Sequence, residues 1–203
     1  MTQESAREKA KRIFEDHRGV LRLSEAKRLG VHPQTLARML RDGMLERPAR
    51  GLYLLRTAAR PIVDSDLVQV AKLVPKAVFC LLTALSIHDL TTQIPRLLYI
   101  ALPRGSWKPS VTYPPLDITW LSQGAYRAGI EEHRIAGFAV PVYSREKTLA
   151  DCFKFRTKVG EDVAVEALRE YLRRRDRDID RLLHYATIDR VRNVMEPYIK
   201  ALA

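Results

Sequence analysis

The residues 33–41, PQTLARMLR, place side chains of one chemical purpose on one helical face. At 100° per residue Gln34, Arg38 and Arg41 fall together, with the small Ala37 between them. A glutamine can pair bidentately with adenine, an arginine with guanine, and a small residue lets a helix approach base edges. That chemistry is reading of duplex DNA in the major groove. Thr35 lies in the same segment, and Arg47 and Arg50 follow it; all three are expected to join the DNA-binding set. A plain solvated face is the competing reading, since arginine-bearing helix faces are common on packing units.

Elsewhere the chemistry is thinner. Lys147 and Asp151 stand at i, i+4 and can pair on one helix face, and His88 closes an apolar segment where an imidazole can serve as a helix-end partner. His88, Lys147 and Asp151 are the candidate functional surface of the second half of the chain, against a purely structural reading. Gly105-Ser106 with Asp117-Ile118-Thr119 has part of the Gly-Ser…Asp-x-Asp pattern by which nucleotidyltransferases hold catalytic metals. Thr119 occupies the second carboxylate position, so no two-metal site can be assembled. Asp64 and Asp66 with Glu146 and Lys147 lack nuclease spacing, and both aspartates read as helix caps. The five histidines have no metal-ligand spacing, and no Gly-rich phosphate loop is present. No enzyme, metal or cofactor is expected.

The elements around the arginine stripe follow from local signals. Ser24 reads as an N-cap; Ala26 and Leu29 face inwards; Gly30 ends that helix with a positive φ. Val31 and His32 form a turn, and Pro33 opens the next helix where a missing N–H costs nothing. Leu36 and Leu40 are its inward side, with Met39 at the edge. Met44–Arg47 and Gly51–Leu55 read as strands around a turn with Arg50 at its tip. A helix from Ser5 to Arg18 precedes them, with Glu8 at capping-box spacing and Lys9 and Lys11 off its apolar stripe, free to touch phosphates. The order is that of a winged helix-turn-helix.

Charge supports that reading. The net charge is +11, and residues 1–60 hold 14 Lys/Arg against 7 Asp/Glu. An excess gathered in under a third of the chain is the electrostatic footprint of a nucleic-acid module. Cys80 and Cys152 each sit in apolar surroundings and read as buried thiols. The first residues lack an apolar signal core and no apolar run approaches bilayer length, so a cytoplasmic, membrane-free protein is expected.

Residues 56–66 lack periodicity and contain Pro61, which places a domain boundary near residue 60: domains 1–60 and 61–203. The second is expected to hold a helix from Asp64 or Asp66 to Val74 and another over Ala77–Asp89. Strands follow at Leu97–Leu102 and Leu116–Leu121, then a hairpin around Ala136-Gly137 whose Pro141 suggests an edge. A helix from Ser144 with Leu149, Cys152 and Phe153 inward leads into a helical tail over 161–202, whose last helix, from Asp189, is interrupted by Pro197. The fold class is α+β, a winged helix-turn-helix followed by a mixed α/β domain with a small sheet.

Over essentially its whole length the chain resembles the AbiEi antitoxin family of type IV toxin–antitoxin systems. The blocks CLLTALSIHDLTTQIP (80–95), LYIALPRG (98–105) and SREKTLADCFKFRTKVG (144–160) carry the likeness, more specifically than the helix-turn-helix does. The resemblance implies a bacterial antitoxin that represses its own operon, at double-stranded operator DNA of inverted-repeat form, and counters a nucleotidyltransferase-like toxin. The alternatives are a solitary winged-helix regulator whose second domain dimerises or senses a ligand, and a nucleic-acid-acting enzyme targeted by its helix-turn-helix.

Overall fold

A computed structural model of the chain describes residues 5–17, 19–56, 62–111 and 113–202. Two compact units are present. The first runs to Pro75 and takes in Ser110–Tyr113 and Ile135–Phe138; the second holds the rest.

In the first unit α1 (Ala6–Asp16) is followed by β1 (Val20–Arg22), α2 (Leu23–Arg28), α3 (Pro33–Arg41), β2 (Leu45–Ala49) and β3 (Leu52–Leu55). The strands form an antiparallel sheet of order β1-β3-β2, which is the winged helix-turn-helix. Ser5 caps α1 through the reciprocal bonds with Glu8 that its spacing implied, at 3.2 and 2.9 Å. The Ser5 backbone N–H holds the Glu8 carboxyl below its usual range. Phe14, Leu21, Leu36, Met39 and Leu45 fill the core.

The ends of α2 and α3 are closed in the same way. Gly30 (φ +84°) lets Val31 N–H reach Ala26 O and Gly30 N–H reach Lys27 O; Gly43 (φ +68°) does the same for Met39 and Leu40. Two local readings need correction. The helix expected from Ser24 begins at Leu23, because Glu25 reaches back to the Arg22 N–H (2.7 Å) and supplies the cap. Met39, not Leu40, is the fully buried partner of Leu36; Leu40 stands at the edge.

The first unit also extends beyond residue 60. Its α4 (Ile62–Leu73) returns to the helix-turn-helix: Arg22 donates to Leu73 O (2.9 Å) and Lys72 pairs with Glu25 (3.1 Å). Burial pushes the Glu25 carboxyl up, but the Arg22 N–H and the Lys72 ammonium outweigh it and hold it low. Because α4 starts at Ile62, Asp64 and Asp66 lie inside the helix and cannot be its caps. Side-chain positions at Asp64, and any structure for Pro61, fall outside the described residues. A fragment ending at residue 60 would lose these contacts. It is expected to unfold at lower urea concentration than one ending at residue 75, a difference that circular dichroism measures.

A five-stranded sheet, in the second unit except for residues 135 and 138 at its hairpin, has the order β6-β5-β4-β8-β7. Its strands are β4 (Val78–Phe79), β5 (Leu98–Pro103), β6 (Leu116–Leu121), β7 (Ile130–Ile135) and β8 (Phe138–Tyr143). The helix expected over 77–89 is instead β4 followed by α5 (Leu81–Ile87). Val78 and Phe79 are drawn into ladders with Ala101 and Ile100 and, in parallel, with Val142, which no local signal announces. The hairpin turn lies at Ala136 and Gly137, both at positive φ (46° and 79°), which suits the twist of the paired strands. Its second strand, β8, is interior rather than an edge. Its neighbour β4 is only two residues long and meets it at Val142, so the ladder is short beside Pro141.

Six helices complete this unit among the described residues: α6 (Gln123–Arg127), α7 (Arg145–Lys154), α8 (Arg156–Val159), α9 (Glu161–Leu172), α10 (Ile179–Ile188) and α11 (Arg192–Leu202). Ser144 caps α7 by accepting the Lys147 N–H, and the whole run from Glu146 to Phe153 is buried. Leu149, Cys152 and Phe153 face the core as their spacing implied, but so does the rest of the helix. Asp189 does not begin the last helix; it ends α10, and α11 starts at Arg192 and continues through Pro197. No helix among the described residues is long and apolar enough to cross a membrane.

Candidate nucleic-acid interface

The nine residues of α3 divide by face. Thr35, Leu36 and Met39 point into the core, while Gln34, Ala37, Arg38 and Arg41 are exposed. His32 accepts the Gln34 N–H on its Nδ1 (3.2 Å) and so caps the helix ahead of Pro33, a role its position in the turn had not suggested. The Gln34, Arg38 and Arg41 side chains make no hydrogen bond or ion pair among the described residues. Their donors stay open to a partner. Thr35 is the exception within the expected set: it is buried, and its place is in the packing of α3.

Around this stripe the charges are partly arranged by pairs. Arg7 and Asp42 meet at 2.7 Å, which ties α1 to the end of α3 and offsets a carboxylate next to Arg41. Lys9 is exposed and unpaired among the described residues, whereas Lys11 lies 3.6 Å from Glu15. Such exposed pairs stabilise little and do not remove a lysine from a phosphate's reach. In the wing, Arg47 lies 6.0 Å from the Tyr53 ring centroid, and Arg56 pairs with Glu46 at 2.6 Å. The β2–β3 register shifts between Glu46 and Ala49, across Pro48, which has no N–H for the ladder. Arg50 is exposed in the turn beyond it.

The other expected set is not a surface. His88 is buried at the end of α5 and donates from Nε2 to Tyr143 O (2.7 Å), with its ring edge-to-face on His133 at 4.9 Å. Burial lowers its pKa. Lys147 is wholly buried: its ammonium lies 2.6 Å from Asp151 Oδ1, 2.9 Å from Asp189 Oδ2 and 4.7 Å from the Tyr143 ring centroid. Tyr143 thus stands between the imidazole and the ion cluster. Lys154, half-buried, completes the cluster at 3.1 Å from Asp189.

Burial pulls the Lys147 pKa down, but its two carboxylates pull harder and keep it above the usual value. Burial first, and then the charge of Asp189, push Asp151 up to about 7 against the pull of Lys147. One ammonium shared by two buried carboxylates explains both directions. The second oxygen of Asp151 has no hydrogen-bond partner among the described residues. The i, i+4 spacing foretold the Lys147–Asp151 pair, but Asp189 and Lys154 arrive from α10 and the end of α7, and only the fold joins them. Asp117 and Thr119, the half-pattern of a metal site, are both engaged by the Lys158 ammonium. No group of His, Cys, Asp and Glu among the described residues could hold a metal ion.

No curated protein matches the chain. The fold is similar to the crystal structure of the RV2827C protein from Mycobacterium tuberculosis, at a TM-score of 0.54 and 14% identity, over 96% of this chain and 80% of that one. Residues 8–56 match the family described as "Transcriptional regulator, AbiEi antitoxin", and this stretch holds α2, α3 and the wing. The likeness to the AbiEi antitoxin regulators is thus shown for the winged module, residues 8–56.

Proposed function

We propose that the chain is a DNA-binding repressor of its own operon and an antitoxin that counters a nucleotidyltransferase-like toxin. One observation carries the DNA reading: the exposed face of α3 presents Gln34, Arg38 and Arg41 with no partner of their own among the described residues. In this reading α3 enters the major groove of an inverted-repeat operator. Gln34 and Arg38 contact base edges, Arg41 and Lys9 contact phosphates, and Lys11 joins them. Arg47 and Arg50 of the wing reach a flanking phosphate or the minor groove.

A titration against operator variants tests this. Arg38→Ala is expected to lose about 1–3 kcal/mol and to relax preference at particular base pairs. Arg50→Ala should weaken all sequences alike and flatten the salt dependence by roughly one counterion. Wild-type affinity in Arg38→Ala would overturn the docking. Growth rescue on co-expression with a nucleotidyltransferase-like toxin tests the antitoxin part, and its failure there would leave only a regulator. The second reading, a regulator whose second unit binds a ligand, is favoured by one feature: a cavity in that unit rimmed by arginines.

A further inference from the structure

That cavity has a volume of about 610 Å³ and lies among residues of α9, α11, the start of α10 and the turn leading to it. Its lining divides by chemistry. Leu172, Ile179, Ile199 and Leu202 supply an apolar floor, and Arg169, Arg173 and Arg177 supply charge. Arg169 and Arg173 are one helical turn apart, and Arg177 stands in the turn before Asp178 caps α10.

Nearby acids are largely committed elsewhere. Asp176 is held by Arg145 at 2.7 Å, and Asp178 accepts the Arg181 N–H at 2.8 Å. Glu170 alone meets the rim, on Arg173 at 2.7 Å. Arg177 gives one N–H to Arg174 O (3.1 Å), and the Arg169 side chain has no hydrogen bond or ion pair among the described residues. The rim is therefore left with more guanidinium than carboxylate. A neutral ligand would leave that charge unmatched, and a wholly polar anion would leave the floor wet.

The volume falls within the range of roughly 300–1,000 Å³ typical of small-molecule sites. Guanidinium groups match a carboxylate in paired hydrogen bonds. Leu172 and Ile199 are buried in the floor, so a ligand must be thin enough to enter, which a bilayer surface is not. We infer that this cavity binds a small amphiphilic anion, an acyl chain ending in a carboxylate. The chain lies on Leu172, Ile179, Ile199 and Leu202, and the carboxylate meets Arg169, Arg173 and Arg177. This site goes beyond the reading of operator DNA and does not depend on it.

Calorimetric titration of the full chain with decanoate, below its micelle-forming concentration, tests the site. Decanol, acetate and phosphatidylglycerol vesicles serve as separate probes. The expected result is saturable one-to-one binding of decanoate, with decanol and acetate at least tenfold weaker. Arg169→Ala and Arg177→Ala, both exposed and confirmed folded by circular dichroism, should each weaken decanoate at least fivefold; Arg127→Ala, outside the cavity, should not. Decanol binding as tightly as decanoate, unsaturable uptake, or wild-type affinity in both cavity variants would overturn the site. Binding of the vesicles without binding of decanoate would overturn it in favour of a membrane-facing surface.

Discussion

Lys147→Met is expected to lower the folding stability of the protein by about 3–5 kcal/mol at pH 8, the usual consequence of removing one partner from a buried ion cluster. The substitution keeps the unbranched stem but strands the Asp151 and Asp189 carboxylates, both buried, against each other. Lys154 remains on Asp189, from a half-exposed position. Urea unfolding measures the loss. The double variant Lys147→Met/Asp151→Leu should recover much of it, because apolar groups of similar size often replace a buried pair without cost.

The pH dependence has a definite sign. Asp151 is raised in the folded state, so its contribution favours folding fully below the usual carboxylate value of about 4 and fades as pH rises through about 7. Wild-type protein should lose that contribution between about pH 4 and 7. In Lys147→Met the attraction that opposes the rise is gone, so the loss should be steeper and the variant should be closest to wild type near pH 5. A deficit that stays equal at pH 5 and pH 8 would show that packing, not charge, is what Lys147 contributes.

The second large effect is expected at Gly129, between α6 and β7. Its φ of +73° is costly for an L side chain, and a Cβ there would stand 2.7 Å from Lys147 Cβ and 3.1 Å from Tyr185 Cζ. Its carbonyl also accepts the Ser144 N–H at 2.7 Å, at the start of α7. Gly129→Ala should therefore cost roughly 1–3 kcal/mol by overpacking and about 1–2 kcal/mol by backbone strain. Thermal unfolding against Gly124→Ala, a position with open space around its Cα, separates this from a general glycine effect. Equal melting points for the two variants would be the contrary result.

The contrast between the units shows what a sequence makes legible. The winged module is written in short-range signals: Ser5 with Glu8, Pro33 opening α3, and Gly30 and Gly43 closing α2 and α3. Each acts within a few residues, so each can be read before the fold is known. The differences there are of the same short range: the cap lies at Arg22 because Glu25 reaches its N–H, and Met39 rather than Leu40 is buried at the margin of the stripe.

In the second unit the deciding partners are far apart. Val78 and Phe79 become a strand only because β5 and β8 flank them, and Asp189 completes the cluster at Lys147 from another helix. His88, Lys147 and Asp151 stand out in the sequence by type and spacing, but types alone do not say that they face inwards. The arginines at 169, 173 and 177 show in a sequence as charge and not as the rim of a cavity, because its floor is drawn from α9, α10 and α11.

The division of α3 into a packed face and an open face has a consequence for how such a regulator can diverge. Leu36 and Met39 hold the helix in place, and the glycine closures fix where α2 and α3 stop. Gln34, Ala37, Arg38 and Arg41 hold nothing in place. Exchanges at those four positions are nearly silent in folding, since solvent-facing substitutions usually change stability by less than about 0.5 kcal/mol. In the proposed reading of operator DNA, a duplicated copy of this gene could therefore drift to a new operator by a few steps, each passing through a folded protein, and cease to cross-talk with its parent before any core residue had changed.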